Sequence, residues 1–525
     1  MPTDEESPLL PSRHESEPEN KTNGRRDKLA VYGSFIGIFL AAADESLVLS
    51  TWSLIASQFH RLSLGSWLLT AYNFGFCVSL PAYGALCKIY GQKTVLLGAY
   101  ALFAVGCLAC GTSTSLLQLI LARVLAGVSG GGMVSLVSVL ITDLAPVDEV
   151  PLLRSYANVV NVAGRSLGAP IGGFLIGTVG WRWSFLGQVP LAVICLLIGW
   201  HGFPSASNSI DTGGYANEER TVRSTISQLD IGGLFSLSAT ILLLLFIVQD
   251  LSAADESIAQ LTILVPAFFA AAMLFVATEA YWARSPLIPL HLLKTPLGGY
   301  GVNQVLVMFS RSGFTSNLAP YLIRVEDASN SYASSAYVLS AAGVSVGGLI
   351  AGAIIKRWKK YTTMTASAIC GAFMSYMVIF IRWRSGSSTW ELLYLFPNGM
   401  FIGALFTTQF AGMSLGVPKE NLLTCITTYY LCQQLGYIIG PATDVALVQR
   451  VFGGKLEKML EGWEEKRFIG KILNDDRFAQ RLPAPVQDLV RSSYLNAFQL
   501  VPLISGVCSL MMLSTWLWEK EGRIE

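Results

Sequence analysis

Two adjacent carboxylates, Asp44 and Glu45, stand in the middle of a long apolar run near the beginning of the chain. A charged side chain inside a membrane is costly, so it marks a functional site by default. Burial and mutual repulsion both favour the protonated form of such an acid, which can load and release protons or pair with a cationic substrate. Helix neighbours point about 100° apart, so we expect at most one of the two to face a central cavity. A structural bond to a neighbouring helix is the alternative for each acid.

Three arginines, Arg123, Arg165 and Arg311, also lie inside apolar segments. Arg123 opens a glycine-rich run, residues 123–132, whose glycines let another helix approach closely. Each arginine requires an acid or a carbonyl as partner, and we weigh proton coupling or contact with a substrate anion against a purely structural tie. Polar residues at mid-depth in other helices are predicted to line a cavity or to bond neighbouring helices: Asn73, Asn158, Asn161, Asn303, Gln304, Asn317, Gln409, Gln433, Gln434 and Asp444.

Glycine and proline are concentrated in residues 164–173, at Gly164, Gly168, Pro170, Gly172 and Gly173. Residues of these two types at such density loosen and bend a helix. We therefore predict a hinge that rocks, and tight inert packing is the alternative.

The amino-acid composition indicates that much of the chain lies in a membrane. Of the 525 residues, 52% are hydrophobic and only 14% are charged, whereas soluble domains carry about 25% charged residues. Lipid must therefore surround much of the chain. The net charge of +1 gives no basic excess for binding nucleic acid. No nucleophile, metal cluster or nucleotide-binding loop is visible, so we predict neither an enzyme nor a bound metal or cofactor.

Apolar windows of about 20 residues predict an all-α membrane protein with fourteen transmembrane helices. Two six-helix bundles, 30–203 and 298–518, are joined by an extra helix pair, 230–280. The remaining segments are a disordered cytosolic tail, cytosolic linkers, a lumenal loop with an amphipathic helix around Lys455–Lys471, and a C-terminal tail: 1–29, 204–229, 281–297, 449–494 and 519–525.

The two bundles are predicted from an internal repeat. Residues 84–94 are similar to residues 352–362, and Leu167-Gly168 matches Leu435-Gly436 at the same spacing. Parallel halves of this kind place the substrate site between them, near the middle of the membrane. Lysine and arginine are concentrated in the short loops on one side, with Arg154 and Lys356 among them, so we expect both termini in the cytosol.

The N-terminal tail contains Glu5 four residues before the pair Leu9 and Leu10. This spacing resembles the acidic dileucine signals that clathrin adaptors bind on proteins destined for lysosomes or vacuoles. We predict such an adaptor as a partner and the vacuolar membrane as the location, with a functionless tail as the alternative.

Together these segments resemble the major facilitator superfamily, in particular its fourteen-helix drug:proton antiporters of fungi, over residues 30–518. Gly84, Gly91 and Lys93 match the gating loop between helices 2 and 3 of that family. Lys88 stands where the family has aspartate and Gln92 where it has arginine. The resemblance implies a charge-relay gate in this loop, and these two differences remove the aspartate and the arginine on which that gate depends.

Three further segments support the resemblance. Residues 123–132 resemble the helix-4 motif whose arginine is implicated in proton coupling, and residues 164–173 resemble the helix-5 antiporter motif. Asp44 falls on the acid of the helix-1 motif, without the proline that follows it in the family. The chain is most similar to the fungal vacuolar transporters that move basic and some neutral amino acids in exchange for protons.

The resemblance implies a monomeric, proton-coupled antiporter that moves amino acids, basic ones above all, into the vacuole by alternating access. Asp44 would be the leading proton or cation site and Arg123 its relay. The bilayer, protons and a small-molecule substrate are the implied partners. One alternative is a plasma-membrane efflux antiporter for drugs or toxic metabolites. Another is a non-transporting nutrient sensor, which Lys88 and Gln92 favour.

Overall fold

The computed structural model describes most of the chain, and the described part is helical. It covers residues 19–59, 65, 67–146, 148–202, 230–252, 258–282, 288, 296–328, 330–358, 361–417, 421–460, 468–474 and 482–516. The predicted sorting signal, Glu5, Leu9 and Leu10, and the linker 204–229 lie outside these residues.

The α-helices are numbered in chain order. They are α1 Glu19–Gln58, α2 Trp67–Tyr90, α3 Gln92–Thr112, α4 Leu116–Leu144, α5 Val150–Thr178, α6 Trp181–Leu186, α7 Gln188–Gly202, α8 Ile231–Ser252 and α9 Ile258–Ala277. They continue with α10 Pro296–Val325, α11 Asn330–Trp358, α12 Thr362–Arg382, α13 Leu395–Gly416, α14 Leu422–Met459, α15 Ile469–Asn474, α16 Ala484–Phe498 and α17 Leu500–Trp516. A π-helix, Thr278–Trp282, follows α9, and a 3₁₀-helix, Thr389–Tyr394, precedes α13.

Nine stretches of the described residues are long and apolar enough to cross a membrane. They are Ala30–Val48, Gln92–Thr112, Leu116–Leu144, Val150–Ile176, Trp181–His201, Gln260–Trp282, Ala336–Trp358, Thr362–Ser385 and Ala484–Ser514. The predicted membrane protein is confirmed. The number fourteen stays a prediction, because α2, α8, α10, α13 and α14 are not among the nine.

The helix packing of the first half recurs in the second half. In the first half α1 packs on α5, while α4 packs on both α2 and α3. In the second half α10 packs on α14, and α13 packs on both α11 and α12. α7 contacts α1 and α3, just as α17 contacts α10 and α12. A duplicated helical unit would have the same helix contacts in both copies, so this packing agrees with the internal repeat in the sequence.

The helix pair α8 and α9 lies outside this repeat. The two helices pack on each other, and α8 also contacts α2 and α14. Only 6% of the apolar window in α9 is buried, and Phe269 and Met273 are exposed. Such exposure of large apolar side chains fits a helix whose outer surface faces lipid.

The first helix begins earlier than the predicted boundary at residue 30. α1 starts at Glu19, so the end of the segment predicted to be disordered is helical. Pro18 is the last proline before Pro81, and proline is the residue that interrupts a helix interior most strongly. The helix can therefore continue back to that point.

The segment predicted as a loop, 449–494, contains several helices. α14 continues to Met459, since Phe452 and Leu456 are buried in the second-half core. The helix predicted around Lys455–Lys471 therefore begins as the last turns of α14. Residues 461–467 lie outside the described part. Val486 and Val490 of α16 are buried in the same core, so this segment caps the second half.

Glycines set the close approach of α1 and α5. A Cβ added at Gly168 would collide with the Ala43 carbonyl oxygen, and one at Gly164 would lie 2.6 Å from the Phe39 carbonyl oxygen. A Cβ added at Gly173 would meet no atom within 4 Å. This geometry favours the tight-packing interpretation for Gly164 and Gly168, while the predicted hinge stays a prediction.

Gly168→Ala is expected to lower the free energy of unfolding by about 1–3 kcal/mol, the usual cost of overpacking. Gly173→Ala is the matched control, because its methyl group has room and alanine favours a helix. Denaturant unfolding of the purified protein in detergent compares the two variants. Equal stabilities would contradict the proposed α1–α5 contact.

Candidate functional site

A cavity lies between the two halves. Its wall includes residues of α1, α2, α4 and α5 from the first half and of α10, α11, α13 and α14 from the second. The polar and aromatic groups on this wall include Glu45, Tyr72, Arg154, Asn158, Asn161, Arg165, Arg311, Tyr430, Gln433, Gln434 and Tyr437. A polar pocket between helix bundles is where a transporter of this architecture binds its substrate.

An ion pair occupies the first-half wall of this cavity. Glu45 Oε2 on α1 lies 2.9 Å from Arg165 Nη2 on α5, and the side chains are 12% and 21% exposed. The Arg165 guanidinium lies 4.7 Å from the centre of the Tyr437 ring on α14. The pair therefore connects an acid of the first half with the wall of the second.

The neighbouring acid, Asp44, points into the interior of the first half instead. Its Oδ2 lies 2.6 Å from Arg123 Nη1, and neither side chain is more than 1% exposed. Gln188 Nε2 donates to Asp44 Oδ1 at 3.2 Å, and the Arg123 guanidinium lies 4.5 Å from the centre of the Tyr72 ring. Of the two adjacent acids, Glu45 faces the cavity and Asp44 does not. The leading role predicted for Asp44 stays a prediction.

Arg154 is a cavity residue that the sequence analysis placed in a loop. It is 5% exposed and lies in α5, which begins at Val150. Its Nη1 donates to Ser138 Oγ at 2.8 Å, and its guanidinium lies 4.6 Å from the Phe410 ring centre. Pro151 was the available signal, because proline is favoured in the first turn of a helix.

The two halves are bonded to each other at one end of the cavity, which we call the latch end. Glu149 Oε1 and Lys356 Nζ are 2.8 Å apart, joining the start of α5 to the end of α11. Ser155 Oγ donates to the Gly348 carbonyl oxygen at 2.6 Å. Further into the cavity the hydroxyls of Ser138 and Tyr430 are hydrogen-bonded. These contacts close the latch end.

The opposite end of the cavity lacks this closure along α5. Beyond Arg165, the side chains of Ile171 and Phe174 are 43% and 69% exposed, whereas Ser155 is fully buried. The described hydrogen bonds from α5 to the second half come from Ser155, in the first turns of the helix. Along α5, the described hydrogen bonds between the two halves are therefore confined to the latch end.

The predicted gating loop lies at the latch end. Gly91 has φ 79° and ψ 154°, a conformation that essentially only glycine adopts. The Gln92 side-chain amide donates to the Asp143 carboxylate at the end of α4. A Cβ added at Gly84 would lie 2.9 Å from Thr427 Oγ1 of α14, so this glycine adjoins the other half. The Lys88 side chain lies outside the described residues. The gate formed with Lys88 and Lys93 stays a prediction.

The other predicted polar residues divide into two groups. Asn161, Arg311 and Gln433 line the cavity, and Asn73 accepts a 2.8 Å hydrogen bond from Gln434 of its wall. Asn303 and Gln304 are buried within the second half, where Gln304 donates to Gln409.

Asp444 is the most isolated of the predicted polar residues. It is 1% exposed, and neither carboxylate oxygen has a hydrogen-bond partner among the described residues. A Cβ added at Gly313 of α10 would collide with it. The absence of a side chain at Gly313 therefore provides the space that this carboxyl group occupies.

Comparison with known proteins identifies the family. A family model described as Major Facilitator Superfamily matches residues 34–441. The proton:xylose symporter XylE has the same fold, with a TM-score of 0.58 at 13% identity, over 95% of this chain and 97% of its own.

Three curated relatives come from yeasts. A vacuolar membrane amino acid uptake transporter of Schizosaccharomyces pombe is 28% identical over 88% of this chain and 79% of its own length. Vacuolar basic amino acid transporter 1 of Saccharomyces cerevisiae is 25% identical over 98% of this chain and 97% of its own length. A multidrug resistance protein of Schizosaccharomyces pombe is 26% identical over 88% of this chain and 87% of its own length.

Proposed function

This chain belongs to the Major Facilitator Superfamily as a multi-pass membrane transporter, and we propose that it exchanges protons for amino acids, basic ones above all, across the vacuolar membrane. The observation that carries the proposal is the Glu45–Arg165 pair on the wall of the central cavity. The names of two relatives, vacuolar transporters of amino acids and of basic amino acids, support the location and the substrate class.

Glu45 provides one carboxylate for three competing cations. In the structure Arg165 occupies it at 2.9 Å. A substrate ammonium group binds Glu45 when the Arg165 side chain swings away, and a proton neutralises it in the acidic lumen. Because one carboxylate cannot hold a proton and an ion-paired ammonium group together, proton binding releases the substrate. This competition gives antiport.

The sidedness follows from the distribution of positive charge. The latch end carries Lys93, Lys356 and Arg357, and cytosolic loops are enriched in lysine and arginine. We therefore assign the latch end to the cytosol and the opposite end to the lumen. Because the two halves are bonded to each other at the latch end, the described conformation is closed towards the cytosol.

Uptake by vacuolar vesicles tests the proposal. Vesicles are prepared from cells with and without this gene, and ATP-dependent uptake of labelled lysine, arginine and histidine is measured, with a protonophore added in parallel. We expect gene-dependent uptake that the protonophore abolishes. Unchanged uptake of all three, with the protein detected in the vesicles, would exclude transport of basic amino acids.

Efflux of drugs from the plasma membrane is the second candidate, because one relative is named a multidrug resistance protein. Deleting Glu5 to Leu10 separates the two locations. A vacuolar protein that depends on this signal moves to the plasma membrane, whereas a plasma-membrane pump does not change its place. Measured substrate flux of either kind excludes the non-transporting sensor.

A further inference from the structure

The charges on the cavity wall do not balance. Arg154, Arg165 and Arg311 line it together with one acid, Glu45. Glu45 is paired with Arg165. No ion pair joins Arg154 or Arg311 to a carboxylate of the described residues. Arginine stays charged at any physiological pH, so the described wall has two positive charges without a counter-charge.

Both unpaired arginines have hydrogen-bonding capacity to spare. The Nε atoms of Arg154 and Arg311 are buried and have no hydrogen-bond partner among the described residues. A buried donor without a partner is costly, and a buried guanidinium without a counter-ion is more so. A ligand that brings an anionic group into the cavity would remove part of this cost.

The surroundings of the two arginines differ. Arg154 already donates to Ser138 and lies 4.6 Å from the Phe410 ring centre and 5.0 Å from the Tyr430 ring centre, near the latch end. The described cation–π contact of Arg311 is with Phe406, at a longer distance of 5.9 Å. Arg311 is therefore the freer of the two to bind a ligand.

The position of Arg311 also suits a ligand held by Glu45. Tyr437 of α14 lines the cavity together with Glu45 and Arg165 of the first half and Arg311 of the second. The acid of one half and the arginine of the other that lacks a counter-charge thus line the same cavity. A guanidinium group binds a carboxylate through two parallel hydrogen bonds.

We propose that Arg311 is the binding site for the α-carboxylate of the substrate, while Glu45 takes the α-ammonium group. The inference rests on the proposed function and extends it to substrate class. The ligand is a zwitterion whose two poles bind opposite halves of the protein. Amines and amides without a carboxylate are poor ligands, even when their side chain is basic. Binding then draws the two halves together across the cavity.

Thermal stabilisation of the purified wild-type protein by three probes tests this inference. The probes are lysine, lysinamide, in which the carboxylate is blocked, and glutarate, which has carboxylates and no amine. We expect lysine to bind at least about tenfold more tightly than lysinamide, because a hydrogen-bonded charge pair contributes about 1.5–3 kcal/mol and each 1.4 kcal/mol is tenfold.

In Arg311→Gln, lysine should lose at least about tenfold in affinity and its advantage over lysinamide should disappear. Arg384→Gln is the matched control, because Arg384 is exposed, lies outside the cavity and has a similar contact of 5.8 Å with the Phe380 ring. This control should bind all three probes like the wild type. A purely structural Arg311 would lower stability in the variant without changing the ratio between lysine and lysinamide.

The outcomes separate the two proposals. Binding of glutarate but not lysine, lost in Arg311→Gln, would support the carboxylate site and exclude amino acids as substrates. Equal binding of lysine and lysinamide to the wild type would overturn the carboxylate site while leaving amino-acid transport intact. Stabilisation by none of the three probes would also overturn it.

Discussion

Replacing Arg123 by methionine is expected to lower the free energy of unfolding by about 3–5 kcal/mol. The change leaves the Asp44 carboxylate, which is 0% exposed, without its partner 2.6 Å away. Breaking a buried ion pair from one side is costly because a desolvated charge remains. Asp44→Leu should have a similar effect, since it isolates the Arg123 guanidinium. Denaturant unfolding in detergent measures both variants.

The double variant Asp44→Leu/Arg123→Met should recover most of this loss. Replacing both members of a buried pair by apolar residues of similar volume is often neutral, because no unpaired charge is left. Arg384→Met is the control for removal of an exposed arginine and should change stability by less than about 1 kcal/mol. Single variants as stable as this control would contradict the buried pair.

Glu45→Gln is expected to reduce substrate uptake at least about tenfold, because it removes the carboxylate for which proton and substrate compete. Its effect on stability should be smaller than that of the Asp44 and Arg123 variants, since this pair is less deeply buried and glutamine can still accept a hydrogen bond from Arg165. The adjacent substitutions thus give opposite results: changes at Asp44 affect chiefly stability, whereas Glu45→Gln affects chiefly transport. Uptake by vesicles and unfolding in detergent measure the two quantities.

Glu391→Gln is the matched control for Glu45→Gln. Glu391 is also 12% exposed and is also bonded to an arginine, Arg382, at 2.7 Å, but it lies outside the central cavity. Uptake by this variant should equal that of the wild type. Full uptake by Glu45→Gln, or an equal loss in both variants, would contradict the role proposed for Glu45.

The acids illustrate how far the sequence could lead. The sequence shows two adjacent carboxylates in an apolar helix. Helical geometry predicts that at most one of them faces a cavity. Which one faces it depends on the rotation of α1 about its axis. That rotation is set by contacts with α5, where Gly164 and Gly168 meet Phe39 and Ala43. A single sequence does not contain these contacts.

Arg154 and α10 show two other limits. Arg154 was assigned to a loop because an error of one turn at the start of α5 changes a cavity residue into a loop residue. α10 contains Asn303, Gln304 and Arg311, and it is not among the nine apolar stretches. The polar residues that bring function to a membrane helix also weaken the hydrophobic signal by which the helix is recognised.

The glycine contacts between α1 and α5 have a consequence for the kinetics of transport. At Gly164 and Gly168 the backbone of α5 packs closely against the backbone of α1, so we expect the two helices to move as one body and Glu45 and Arg165 to move together when access to the cavity changes. Exchange of Arg165 for a substrate or a proton then requires only local side-chain rotation, whereas a change of access is a collective motion, which takes about microseconds to milliseconds. Occupancy of Glu45 therefore reaches equilibrium before each change of access. Turnover is limited by rocking, and its dependence on substrate concentration reports binding at equilibrium.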